Sequence, residues 1–188
     1  NRQINVRINT GEDDFLYVGS STVAGGIWAN RKKLSSHGSI GVIGMVGKGP
    51  GGVLQYLKNN WDKLGIRFKE GATVALPGMA LNAAGESAEK IFGKYESLAS
   101  FLVKKAAEQG RKIDVVFWTS PPHENPAKNK NIQDFNEMVR RSPYYAAAGD
   151  LARDVTDEHG NWAHGTTSDG LHVKPDVVGN RAEEFQRQ

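Results

Sequence analysis

The chain has no cysteine among its 188 residues. A thiolate nucleophile, a cysteine-based zinc site and a disulfide-bonded scaffold are therefore excluded, whereas the redox state of the compartment stays open. The sequence also lacks any run of about 18 apolar residues, the length that a membrane-spanning helix requires. It is nevertheless long enough to bury a hydrophobic core without help from disulfides or a metal ion.

Strong charge of one sign is also missing. The formal net charge is +3, from 24 basic and 21 acidic residues, and the basic residues form only small scattered clusters. No basic stripe interleaved with aromatic side chains accompanies them, so we expect no nucleic-acid partner. The length fits a single domain over residues 1–188, with residues 1–13 as a peripheral N-terminal segment.

Apolar runs and helical patterns alternate along the chain, which predicts an α/β fold. Alternation at Ile4, Val6 and Ile8 predicts a short peripheral strand or the tail of a preceding module. Further strands are expected at 14–19, 39–44, 71–76, 112–118 and 144–148, and helices at 22–34, 53–64, 87–108, 132–141 and 175–188. This order predicts a three-layer α/β/α domain, doubly wound and flavodoxin-like, around a parallel sheet of about five strands.

Two distant segments supply residues with hydrolytic chemistry. The first core strand ends in Gly19-Ser20-Ser21, and a loop near the other end of the chain contains Asp169 and His172. The serine turn can be interpreted as an ordinary helix N-cap. However, a serine nucleophile needs a base, and the base needs an acid to orient it, so Ser21, His172 and Asp169 form a candidate catalytic triad.

Four ordered blocks make the chain resemble the SGNH, or GDSL-type, hydrolase family. They are residues 18–21, the glycine loop around Gly47, residues 78–82 and residues 169–172. The resemblance implies a serine hydrolase that uses Ser21 as nucleophile, His172 as base and Asp169 as orienting acid, without a cofactor. It also implies an oxyanion hole formed by the backbone N–H groups of Ser21 and Gly47 and the side chain of Asn82.

Two positions depart from the family pattern. Ser20 replaces the usual aspartate of the first block, and Gly78 precedes Asn82 by four residues rather than the commoner two. Because that aspartate supports the turn rather than the chemistry, we expect the first change to be tolerated. The second leaves open the interpretation that Asn82 is an ordinary polar loop residue.

Two polar segments have alternative interpretations. Residues 47–52 satisfy the G-x-G-x-x-G spacing of a dinucleotide-binding loop between a strand and a helix, but they follow the second core strand rather than the first. Nucleotide binding is therefore the weaker interpretation. Asp157, His159 and His164 could hold a metal ion, but a polar surface loop is the simpler interpretation and no metal site is predicted.

Trp118, His123 and Trp162 follow strand ends or lie in the long loop at 157–172, so they are candidate substrate-binding residues. The expected function is hydrolysis of a small acyl ester, such as acetyl on a carbohydrate or cell-envelope glycan, through an acyl-enzyme. An inactive carbohydrate-binding or cell-envelope module on the same fold is the alternative, which the altered first block motivates. We expect an extracytoplasmic or envelope-associated location, and the oligomeric state is open.

Overall fold

A sheet of five strands forms the centre of the molecule, whose computed structural model describes residues 5–188. The strands are β1 (Val6–Asn9), β2 (Phe15–Gly19), β3 (Ile40–Met45), β4 (Ala72–Leu76) and β5 (Ile113–Phe117). They lie in the order β1-β3-β2-β4-β5. Strands β2 to β5 run parallel, and β1 pairs antiparallel with β3 along one edge.

Helices cover both faces of the sheet. They are α1 (Arg31–Leu34), α2 (Pro50–Leu64), α3 (Ala88–Glu108), α4 (Pro126–Arg140), α5 (Leu151–Val155) and α6 (Pro175–Gln186). A π-helical segment at Thr22–Ile27 and 3-10 helices at Met79–Ala83 and Ala147–Gly149 complete the connections. Apolar residues of α2, α3 and α4 pack in one core, and those of α1, α5 and α6 in the other.

The two cores follow from the alternation of side chains along each strand. On β2, the buried side chains of Leu16 and Val18 enter the core beneath α2 to α4, whereas Tyr17 enters the opposite core. Since both faces are covered by helices, the parallel strands are almost continuously apolar. The predicted α/β class and three-layer architecture are therefore confirmed.

The predicted strand at 144–148 is wrong. The carbonyl of Tyr144 accepts a single hydrogen bond from the backbone N–H of Phe117, at 3.0 Å. The Tyr144 ring instead stacks on the Phe117 ring, with centroids 4.1 Å apart and planes 7° apart. Residues 144–148 are therefore not a strand, and Tyr144 packs its ring in the core instead. The fifth strand of the sheet is β1.

Two helix boundaries also differ from the prediction. Helix α4 begins at Pro126 rather than Ile132, because the Asn125 side chain accepts hydrogen bonds from the N–H groups of Ala127 and Lys128 and caps the first turn. The predicted helix over 22–34 is divided into the π-helical segment and α1. The short peripheral strand near the N-terminus is confirmed as β1, and Ile4 lies outside the described residues.

The sheet places several chain segments at one edge. Strands β2, β3 and β4 are parallel neighbours, so the segments that leave Gly19, Met45 and Leu76 emerge side by side. This is the edge at which open α/β sheets hold ligands. Within the described part of the chain, no helix is both long enough and apolar enough to cross a bilayer.

Candidate active site

The serine turn lies directly after β2. Ser20 is buried, with 1% of its surface exposed, whereas the next residue, Ser21, is partly exposed at the start of the π-helical segment. The backbone N–H groups in the first turn of a helix have no partner within the helix. Here the N–H groups of Val23 and Ala24 donate to the Ser20 carbonyl, at 3.1 and 2.9 Å, so the turn offers the hydroxyl and the N–H of Ser21 at the carboxyl edge of the sheet.

A close contact holds the exit of β4 against this turn. Gly78 has φ of 80°, and a Cβ at this position would lie 2.5 Å from the Thr22 hydroxyl oxygen. Only glycine satisfies both the left-handed backbone and the lack of space. The 3-10 helix that begins at Met79 is thereby directed over the serine turn, and it carries Asn82.

The Asn82 amide joins three of the four segments identified in the sequence. Its nitrogen donates to the Ser20 hydroxyl at 3.1 Å and to the Lys48 carbonyl at 3.2 Å. The serine turn, the glycine loop and the segment after β4 are thus tied together by one side chain. Since an amide nitrogen has two hydrogens, both are directed at acceptors within the chain. Donation to an oxyanion therefore requires that one of these bonds be exchanged.

Gly47 lies in the exposed turn after β3, beside the Lys48 carbonyl that Asn82 contacts. Its φ of 79° is in the left-handed region, and open space surrounds the position of a Cβ. The same loop leads into α2 through Gly49, against which the Ala83 side chain packs. The glycine loop therefore contacts the segment that carries Asn82.

Asp169 and His172 form a hydrogen-bonded pair in the long loop before α6. The His172 Nδ1 atom lies 2.8 Å from an Asp169 carboxylate oxygen. The other oxygen accepts the backbone N–H groups of Leu171 at 2.9 Å and His172 at 2.8 Å. Hydrogen bonds from the His172 side chain and from these N–H groups hold the pKa of Asp169 well below its usual range. The carboxylate is therefore ionised and fixed relative to the imidazole.

This pair is open to solvent, because the side chains of His172 and Asp169 are 54% and 52% exposed. The loop that carries them is nevertheless fastened at Gly170. Its carbonyl accepts a hydrogen bond from Trp162 Nε1 at 2.9 Å. Gly170 has φ of 74°, and the Glu124 carboxylate occupies the place where a Cβ would point. Trp162 and Glu124 thus fix the backbone between the acid and the imidazole.

The two distant segments meet at a small cavity. Ser21 and His172 both line it, together with Gly78, Leu81, Asn82 and Leu171, and its volume is about 40 Å³. A serine, a histidine and an asparagine from three separate segments therefore line one cavity at the sheet edge, and the histidine is hydrogen-bonded to Asp169. These are the residue types that acyl transfer through a serine requires.

The three candidate substrate-binding residues have other positions. Trp118 is completely buried and packs edge-on against Tyr17, so the prediction that it contacts substrate is wrong. The sequence shows that Trp118 follows a strand, but not that its ring turns into the core. Trp162 donates to Gly170, a contact that no local sequence signal indicated. His123 lies in the loop before α4, where its Nδ1 accepts the N–H of Asn125.

His123 is partly buried, and burial, with a contribution from the nearby Lys128 charge, lowers its pKa. It does not line the cavity shared by Ser21 and His172. The histidines of the polar loop are spread apart, and His159 lies beside Glu158 at the surface. Among residues 5–188, no group of three or more His, Asp or Glu side chains is placed to hold a metal ion.

An open α/β/α sheet therefore has a serine turn at its carboxyl edge and an Asp-x-x-His loop beside it, at the place where such sheets hold ligands. No protein-family model matches the sequence. No curated protein matches it either. Solved structures do match over nearly the whole chain.

A protein from Streptococcus pneumonia described as a platelet activating factor is 16% identical, with a TM-score of 0.68 over 94% of this chain and 85% of its own. A lipolytic protein of the G-D-S-L family from Desulfitobacterium hafniense is 15% identical, with a TM-score of 0.59 over 92% and 97%. A variant of Axe2, an acetyl xylan esterase from Geobacillus stearothermophilus, is 13% identical, with a TM-score of 0.56 over 93% of each chain. The chain therefore has the SGNH hydrolase fold, and the resemblance seen in the sequence is confirmed at the level of the fold.

Proposed function

We propose that this chain is a serine esterase that removes a small acyl group, acetyl in the first place, from a carbohydrate or cell-envelope glycan. The observation that carries the proposal is the shared cavity: Ser21 and His172 line one space, although 151 positions separate them, and Asp169 is hydrogen-bonded to the imidazole. A merely structural serine N-cap would not need a histidine and carboxylate pair from the far end of the chain.

In the proposed acylation step, the Ser21 hydroxyl oxygen attacks the ester carbonyl carbon and His172 accepts the hydroxyl proton. Asp169 accepts the Nδ1 hydrogen, which leaves Nε2 as the basic nitrogen and stabilises the imidazolium that forms. The tetrahedral intermediate collapses with loss of the alcohol, which takes the proton from His172. Water then attacks the acyl-enzyme by the same route, releasing the carboxylic acid and restoring Ser21.

Negative charge on the carbonyl oxygen requires donors placed in advance. The Ser21 N–H at the helix start and the Gly47 N–H in the glycine turn are the backbone donors in this proposal. Asn82 supplies a third donor by transferring one N–H from the Ser20 hydroxyl to the oxyanion, while its other N–H stays on the Lys48 carbonyl. A charged acceptor forms the stronger bond, so the exchange is favourable once charge develops.

The cavity favours a small acyl group. Its volume of about 40 Å³ is only a few times the ~10–15 Å³ that a cavity needs to hold one water molecule. Leu81 and Leu171 give it apolar walls that suit a methyl group. The alcohol side is open, since the His172 and Asp169 side chains are more than half exposed, so the alcohol can be a large polymer. The similarity in fold to an acetyl xylan esterase accords with this substrate class.

An inactive glycan-binding module is the second candidate. It is favoured by one observation: both hydrogens of the Asn82 amide already have acceptors, one of which is the Ser20 hydroxyl that stands where the family has an aspartate. If the Asn82 bonds do not exchange, the oxyanion hole is incomplete.

Hydrolysis of p-nitrophenyl acetate by the wild type separates the two candidates. We expect turnover that Ser21→Ala reduces by about 10⁴-fold or more. A fluorophosphonate probe should label the wild type at Ser21, as located by mass spectrometry. Ser100→Ala, which removes an exposed hydroxyl on α3, should leave turnover and labelling unchanged.

Chain length gives a second test of the same site. Because the cavity is small, kcat/KM for p-nitrophenyl octanoate should be lower than for the acetate by about tenfold or more. The esterase proposal would be abandoned if the folded wild type neither turned over the acetate nor reacted with the probe. Equal rates for the two esters would contradict the assignment of a small acyl group but not of an esterase.

A further inference from the structure

A second cavity, of about 390 Å³, lies between the edge of the sheet and the segment around α1. Its lining includes Ile40 and Val42 from β3, Trp28 and Lys32 from the helical side, and Asn9 at the end of β1. The volume falls in the range of about 300–1,000 Å³ typical of small-molecule sites. It is therefore roughly ten times larger than the space beside Ser21.

Positive charge gathers on the helical side of this cavity. Arg31 and Lys32 line it, and the guanidinium groups of Arg7 and Arg31 both lie over the Trp28 ring, at 4.7 and 4.2 Å from its centroid. Contact with the indole face holds a guanidinium in place without neutralising it. Within residues 5–188, none of Arg7, Arg31 and Lys32 forms an ion pair with a carboxylate. Moreover, the Arg7 Nε atom is buried and has no acceptor.

The rest of the lining suits a sugar ring. Ile40 and Val42 provide an apolar floor, because alternate side chains of β3 point to this face of the sheet. Asn9 and Asp13 also line the cavity. The Asn9 amide can donate to and accept from the hydroxyl groups of a sugar, and the Asp13 carboxylate can accept from them. An inorganic phosphate ion would make no use of a carboxylate acceptor.

We propose that this cavity is a second site that binds an anionic carbohydrate, with the carboxylate or phosphate of the sugar paired with Arg31 and Lys32. The hydroxyl groups meet Asn9 and Asp13, and the ring lies over Ile40 and Val42. This site is independent of the proposed esterase chemistry.

The site is also remote from the candidate active site. Ile40 begins β3 and Met45 ends it, so at about 3.3 Å per residue the two ends of this strand lie roughly 16 Å apart. The cavity lies at the Ile40 end, whereas Gly47 and Asn82 lie beyond Met45.

Calorimetric titration of the whole chain tests the site with four probes: a galacturonic acid trisaccharide, the matched neutral galactose trisaccharide, glucose 6-phosphate and inorganic phosphate. We expect the acidic trisaccharide or the sugar phosphate to bind about tenfold or more tightly than the neutral sugar, because charged hydrogen bonds are the stronger ones. The affinity should fall as salt is added. Which of the two anionic sugars binds identifies the carboxylate or the phosphate as the group recognised.

The variant Arg31→Gln/Lys32→Gln should weaken this binding by about tenfold or more while p-nitrophenyl acetate hydrolysis, if present, stays unchanged. The matched control is Lys58→Gln/Lys104→Gln, which removes two exposed cations from the α2 and α3 side and should bind as the wild type does. In the ligand comparison, the proposal is overturned if no anionic sugar binds, if the neutral trisaccharide binds equally well, or if inorganic phosphate binds as tightly as the sugar phosphate. In the variant comparison, it is overturned if Arg31→Gln/Lys32→Gln binds the anionic sugar as tightly as the wild type does.

Discussion

Replacing Trp162 by phenylalanine tests how the acid and imidazole loop is held. The change keeps an aromatic ring but removes the Nε1 hydrogen that donates to the Gly170 carbonyl at 2.9 Å. Gly170 lies between Asp169 and His172, so the loss loosens the backbone that carries both. The residue is outside the small cavity, and we therefore expect the substrate to be contacted as before.

The size of the effect follows from the bond that is lost. A neutral hydrogen bond contributes about 0.5–1.5 kcal/mol net, and Gly170 is only half buried, so water can replace the donor in part. If this free energy is lost from the positioning of His172 in the transition state, kcat falls by about 2- to 12-fold. KM for p-nitrophenyl acetate should stay within about twofold of the wild type, since ground-state contacts are unchanged.

The assay measures kcat, KM and the rate of fluorophosphonate labelling for wild type and Trp162→Phe, with thermal unfolding to verify that both are folded. Trp61→Phe is the matched control, because Trp61 packs on Phe68 and Phe101 away from the site. An unchanged kcat would refute the positioning role. A raised KM with constant kcat would instead return Trp162 to the substrate-binding role that the sequence had suggested.

Three further predictions concern the serine turn, the exit of β4 and the buried carboxylate of Asp150. Ser20→Ala removes one acceptor of the Asn82 amide, so the N–H no longer has to break a hydrogen bond of about 1 kcal/mol before it can donate to the oxyanion. We therefore expect kcat to rise by up to about fivefold. A fall in kcat would mean that Ser20 serves to anchor Asn82. Gly78→Ala places a Cβ against Thr22 in a left-handed backbone, so both the melting temperature and kcat should decrease, and a variant equal to the wild type in both would contradict the contact. Burial raises the pKa of Asp150, but hydrogen bonds from its arginine, threonine and tyrosine neighbours outweigh this and lower it to about 2. The ionised carboxylate therefore contributes stability above pH 4, and this stability is lost as the pH falls towards 2. Denaturant titrations should show that Asp150→Asn is less stable than the wild type by about 2 kcal/mol at pH 7 and by less at pH 2. A difference in the free energy of unfolding that does not change with pH would contradict this.

Most of the fold could be predicted because local patterns and long-range packing agree. Each of the strands β2 to β5 is a short apolar run followed by glycine, proline or a polar turn, and buried parallel strands have this pattern. The failure at residues 144–148 has a specific cause. An apolar run shows that a segment is buried, but whether it pairs its backbone or packs its rings depends on a partner, here Phe117, which is distant in sequence.

In the candidate site, too, contacts within one loop could be predicted from sequence, whereas contacts between distant segments could not. Asp169 and His172 could be paired from sequence, because they lie three positions apart in one loop. The pairing of Ser21 with His172 was a hypothesis from the chemistry that a serine nucleophile needs and from the resemblance to a family, since no local rule joins segments so far apart. The Ser20 to Asn82 bond and the role of Trp162 could not be predicted, because each depends on where two loops cross.

The exposure of the His172 and Asp169 pair has a consequence for the fate of the proposed acyl-enzyme. Solvent water reaches the imidazole and its carboxylate directly, because more than half of each side chain is exposed. Any second alcohol that is to receive the acyl group must outcompete this solvent during the lifetime of the intermediate. An active centre of this shape therefore drives the covalent species towards free acid, and it can pass the group to another hydroxyl only if that acceptor is already docked when the first alcohol leaves.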